Sequence, residues 1–126
     1  MNLKILNKLV DKSKKLIDQI SHNGNRHFSF ILDGKHIVSY GMNDITKTHP
    51  MAINHCYPYL HSEVSAILNF KLPVKELCKY IFVNIRIGKD GRIRLSKPCS
   101  GCQTILTNFG VDKIFFTNDF GNFELL

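Results

Sequence analysis

The 126-residue chain has no apolar run approaching the roughly 18 consecutive residues that a membrane-spanning helix needs, which excludes such a span. It has no signal-like hydrophobic stretch either, because lysines recur throughout MNLKILNKLVDKSKKLIDQI. No repeat or low-complexity tract is present. With 44% apolar and 21% charged residues, neither a disordered tail nor a collagen-like chain fits. The expectation is one compact domain over 1–126, residing in the cytoplasm or elsewhere inside a cell. Acid is the scarce charge: ten Asp+Glu stand against 17 Lys+Arg, for a net +7. That balance suits phosphate-bearing partners, and equally suits a merely basic surface, since many of the lysines lie near the N-terminus. Only three residues are glutamates, Glu63, Glu76 and Glu124. Cysteines are also few: Cys56, Cys78, Cys99 and Cys102. Inside a cell, a C-x-x-C pair points to metal or redox chemistry before a structural disulfide.

Local patterns predict an amphipathic helix over 3–20, in which Leu3, Leu6, Leu9, Val10, Leu16, Ile17 and Ile20 recur at helical spacing. Ser21–Arg26 breaks it. Two strands, His27–Leu32 and His36–Gly41, should form a hairpin across Asp33-Gly34-Lys35. Asn43 to Tyr59 has no period and reads as a loop of the kind that often lies over a site. A helix is expected over Leu60–Phe70, and Tyr80–Ile87 alternates like a strand, with a short partner at Arg92–Leu95. A last helix should run from near Pro98 to Gly110, followed by strands near Lys113–Thr117 and Asn122–Leu126. The strands flanking the last helix should be parallel. The final two, joined by only a few residues, should be antiparallel.

Within this order, one constellation carries chemistry: His61-Ser62-Glu63 and Pro98-Cys99-Ser100-Gly101-Cys102. An imidazole and two thiolates make a three-ligand zinc site, and a fourth position left for water is the catalytic rather than the structural arrangement. Cys99 and Cys102 share one face of a helical turn, and amide N–H groups at a helix start favour thiolates. His61 and Glu63, two apart, point roughly 200° away from each other on an ideal helix. Both can reach one pocket only in the first turn, so the helix should begin very near Leu60, with a metal held between two helix N-termini. By composition alone, the two motifs coincide with a probability of roughly 6 × 10⁻⁴.

His-x-Glu followed by Pro-Cys-x-x-Cys resembles the cytidine deaminase-like zinc deaminases, and the likeness runs from about residue 28 to the end. The fold it implies is α/β, a three-layer α/β/α arrangement with a mixed five-stranded sheet whose last two strands are antiparallel. It further implies that His61, Cys99 and Cys102 bind Zn²⁺ and that Glu63 moves protons between water, the ring and the leaving amine. Asn43, in Gly41-Met42-Asn43, matches an asparagine that holds sugar or base in many relatives, and a turn-capping role is the alternative. The backbone N–H groups of Ser62 and Cys99 match those that hold a pyrimidine carbonyl. Three features depart from the relatives. Ile45 stands where free-cytidine deaminases carry a glutamate, His61 where they commonly use cysteine, and the chain has no helix between its last two strands, as nucleotide- and tRNA-acting relatives usually do.

The resemblance leaves three functions open. These are a zinc hydrolase acting on a cytosine nucleoside or nucleotide, an editing enzyme acting on cytosine or adenine in single-stranded DNA or RNA, and a non-catalytic zinc-binding module. An intact Glu63 argues against the last. No membrane partner is implied, and a homo-oligomer stays open. Among the remaining residues, Tyr57 and Tyr59 could stack on a base or simply pack. His49 and His55 could be ligands or solvated loop residues, and Cys56 a redox partner or an incidental thiol. Cys78 reads as core, as does Phe115-Phe116. Arg86, Lys89, Arg92 and Arg94 read as a phosphate contact or, in preference, a charged sheet edge.

Overall fold

In a computed structural model of the chain, residues 2–19, 26–44 and 60–126 are described. The elements are α1 (Leu3–Leu16) with a 3₁₀ turn Ile17–Gln19, β1 (Arg26–Asp33), β2 (His36–Met42), α2 (Ser62–Asn69), a 3₁₀ segment Val74–Lys79, β3 (Ile81–Ile87), β4 (Ile93–Arg94), α3 (Ser100–Asn108), β5 (Ile114–Thr117) and β6 (Phe123–Leu125). The sheet runs β2-β1-β3-β5-β6, with β4 pairing β3 off this path. The two-residue β4, inside the short partner expected at Arg92–Leu95, makes the sheet six-stranded where the family resemblance implied five. The parallel β3–β5 pair and the antiparallel β5–β6 pair are as expected.

Alternation along β1 and β3 divides the core into two. Phe28, Phe30, Leu32, Val83, Ile85 and Ile87 pack on one face against Leu6, Leu9, Val10 and Leu16 of α1. On the other face Ile31 and Phe82 meet α2 and α3 through Val64, Ala66, Ile67, Ile105 and Leu106. This makes the three layers: α1, sheet, then α2 with α3. Asn2 caps α1, its Oδ1 accepting from Lys4 N at 2.8 Å, and Lys14 and Lys15 complement the dipole in the last turn. Ser13, buried on the apolar side, donates its hydroxyl to Leu9 O at 2.8 Å. The helix ends at Leu16 rather than Ile20, and Ile20 itself lies outside the described residues. No helix among the described residues is long and apolar enough to cross a membrane.

Two glycines set the geometry that leads to the site. Gly34, φ 58°, opens the two-residue β1–β2 turn, where no other residue has positive φ; this is the backbone that a twisted hairpin favours. Gly41 allows β2 to approach α2 directly. A Cβ there would lie 2.3 Å from Ala66 N and 2.7 Å from Ser62 O.

Some local expectations are corrected. Cys78 is exposed, not core, because Leu77 is the buried residue of the 3₁₀ segment, and the Cys78 thiol contacts Lys75 O at 3.5 Å. That segment had no sequence signal. Of the Phe pair, Phe116 is buried and Phe115 packs against the α1-side cluster. Within the basic hairpin, Arg94 pairs with Asp90 at 2.8 Å and Arg92 lies 3.7 Å from it. The Arg92 backbone N–H, followed by the Arg94 charge, holds the Asp90 carboxyl below the usual carboxylate range.

Candidate metal and active site

The site forms where two helix N-termini meet. His61 is the N-cap of α2, with extended backbone (φ −78°, ψ 156°), and makes no side-chain capping bond. Its ring instead points at sulfur: Nδ1 lies 3.4 Å from Cys102 Sγ and 3.7 Å from Cys99 Sγ. Cys99 is in turn the N-cap of α3, and its sulfur accepts from Cys102 N at 3.4 Å. All three donor atoms lie within 4.8 Å of one another. A nitrogen and a sulfur at ordinary zinc distances on tetrahedral vertices stand about 3.6 Å apart, so the observed N···S separations fit one ion between them. Cys102 is fully buried, whereas Cys99 is exposed, so the group has one closed side and one side facing solvent.

An N-cap has non-helical backbone, so His61 projects past the helix end while Glu63 occupies the first turn. That resolves the geometric objection to a His-x-Glu pair. The helix begins at Ser62, two residues after Leu60, and Leu60 is itself held by a bridge to Asp44. Glu63 is 6% exposed and is not among the three clustered ligands. Burying a carboxylate costs several kcal/mol unless donors replace water. Two donors do so here: Ser62 Oγ reaches Oε1 at 3.1 Å, and Asn84 Nδ2 donates to Oε2 at 3.0 Å. Glu63 also lies in the first turn of α2, at the positive end of the helix dipole.

Behind Glu63 runs a buried polar chain. Ser29 donates to Asn84 Oδ1 at 2.7 Å and lies 2.8 Å from Ser62 Oγ. Ser96, in the strap between β4 and α3, donates through Oγ to the Asn84 carbonyl at 2.7 Å and accepts from Thr117 N at 2.7 Å. These bonds pin the strap that delivers Pro98 and Cys99 to the end of the sheet. Ser29, Asn84 and Ser96 belong to no sequence motif and were not among the expected site residues. For Asn84, the available signal was an uncharged polar residue at the centre of a strand whose only other polar residue is Arg86.

The expected substrate contacts are placed as follows. Asn43 follows β2 and caps the hairpin side, its Oδ1 accepting from His27 N at 2.9 Å. It also borders a cleft of about 310 Å³ with Tyr40, Asp44 and Leu60, a cleft that none of His61, Glu63, Cys99 or Cys102 lines. The Ser62 N–H opens α2, and Cys99 is the N-cap of α3. Tyr59, Tyr57, His49, His55, Cys56 and Ile45 lie outside the described residues.

No family model and no curated protein matches the chain. Among solved structures, a dCMP deaminase from the cyanophage S-TIM5, determined in apo form, is similar in fold. It is 16% identical, with a TM-score of 0.61, over 94% of this chain and 86% of that one. The chain thus shares the α/β fold of that protein.

Proposed function

We propose that the chain is a zinc-dependent hydrolytic deaminase that converts a cytosine nucleotide to its uracil counterpart with release of ammonia. The observation that carries this reading is the meeting of His61 Nδ1, Cys99 Sγ and Cys102 Sγ at two helix N-caps, with a buried, doubly hydrogen-bonded Glu63 in the adjoining turn. His61, Cys99 and Cys102 would hold Zn²⁺. When bound by three protein ligands, zinc leaves a fourth position for water and lowers that water's pKa toward neutrality.

The chain's own residues supply the rest. Glu63 takes a proton from the water that adds at C4 of the ring and delivers it to the ring nitrogen. A second proton transfer to the exocyclic amine lets it leave as ammonia. By the family likeness, the N–H groups of Ser62 and Cys99, main-chain donors at the two helix starts, are the candidates for the pyrimidine carbonyl. Asn43 is the candidate for the sugar. The net charge of +7 suits a phosphorylated substrate, and a similar fold in a dCMP deaminase supports a nucleotide over a free nucleoside.

Incubating the reduced, zinc-loaded protein with dCMP, CMP, deoxycytidine, cytidine and a single-stranded oligonucleotide tests the reading. The expected result is fastest turnover on a monophosphate. Turnover confined to the oligonucleotide would replace this reading with nucleic-acid editing, and turnover of none would remove it.

A further inference from the structure

Outside the three sulfur and nitrogen donors, Asn84 is the polar side chain that ties the strands directly to Glu63 among the described residues. It sits in the middle of β3, 2% exposed, with Ser29 opposite it on β1 and Phe116 opposite it on β5. Strands disfavour asparagine, and a buried amide costs free energy unless its hydrogen bonds are made. Here they are made toward specific targets. Oδ1 accepts from Ser29 at 2.7 Å, and Nδ2 donates to Glu63 Oε2 at 3.0 Å. The contact from Nδ2 to Ser96 O is longer, at 3.4 Å. The amide orientation is chemically forced, because a carboxylate only accepts and the nitrogen must therefore face Glu63.

We propose that Asn84 is the positioning residue for Glu63, holding its carboxylate in the orientation that proton transfer requires. The proposal rests on the deaminase reading above. Two opposed donors, Asn84 on Oε2 and Ser62 on Oε1, fix the plane of the carboxylate. Asn84 is the stiffer of the two supports, since the main-chain ladder holds its strand on both sides. Of the side chains of this size, an amide alone combines an acceptor for Ser29 with a donor for Glu63. Aspartate keeps the first and loses the second.

Asn84→Asp is the informative substitution. In the zinc-loaded protein, kcat should fall about 100-fold while KM moves by less than about threefold, because the lost interaction serves a proton-transfer step and not ground-state binding. Zinc content should stay at that of the unsubstituted chain. The activity-independent arm is a melting-temperature cycle with Glu63→Gln. Asn84→Asp alone sets two carboxylates against each other and lowers the melting temperature. Combined with Glu63→Gln, the donor and acceptor exchange places, the hydrogen bond re-forms, and the melting temperature recovers. In the same pair, kcat should be no lower than in Glu63→Gln alone.

Additive melting shifts, or a loss carried by KM, would overturn the proposal and leave Asn84 as a structural tie between Ser29 and Ser96. If the unsubstituted chain deaminates nothing, the functional reading fails, and the melting cycle still decides whether Asn84 holds Glu63.

Discussion

His61 and Cys99 share a property that helix interiors lack. Each is an N-cap with extended backbone, so its side chain leaves the helix axis and can meet a donor from another element. This is why two motifs 38 residues apart in sequence bring an imidazole nitrogen within 3.7 Å of a thiol sulfur. It also separates the roles of residues that are close in sequence, since Glu63, inside the first turn, is held by Ser62 and Asn84 instead of joining the ligand group. Two outcomes follow at this scale. Glu63→Gln should retain zinc and lose about 10²- to 10⁴-fold in kcat, measured beside metal content. Cys102→Ala, removing a fully buried sulfur, should weaken zinc retention by more than about 100-fold in a chelator competition, since a direct ligand matters more than its supports. The motif residues could be read from the sequence because their spacing is itself the chemistry. Asn84 could not be read so directly, because its partners Ser29, Glu63 and Ser96 come from three other segments and only the fold brings them together.

Between elements, the critical approach is that of β2 to α2. Gly41 lies where a methyl group would overlap the Ala66 nitrogen and the Ser62 carbonyl, both backbone atoms that cannot swing away. Gly41→Ala should therefore destabilise the protein by about 1–3 kcal/mol in urea unfolding. It should also lower zinc affinity, because the displaced helix carries His61. β1 and β3 were legible because one face of each is an apolar row on the α1 cluster, while the other carries Ser29, Asn84 and Arg86 among its apolar residues, so alternation survived. The 3₁₀ segment Val74–Lys79 was not legible. Six residues with a single buried side chain, Leu77, give no period, and this is also why Cys78 was misread as core. The two-residue β4 was anticipated only as a slightly longer partner, since its ends are set by Thr117 and Ser96 and not by its own pattern.

For the whole molecule, the sheet order β2-β1-β3-β5-β6 puts the two crossover helices on one face with their N-termini together, and α1 closes the other. Chain order alone predicted the parallel and antiparallel pairs, because connection length decides between them. The net +7 is the global feature that suits a phosphorylated substrate under the proposed reading. In the proposed hydrolysis, a solvent oxygen replaces the ring amine. Running the reaction of the reduced, zinc-loaded protein on dCMP in ¹⁸O-labelled water and weighing the product by mass spectrometry tests it most directly. The expected product is dUMP bearing a single labelled oxygen, with matching ammonia, formed at least about 100-fold more slowly by the Glu63→Gln protein. An unlabelled product, or product formed undiminished by the Glu63→Gln protein, would contradict it.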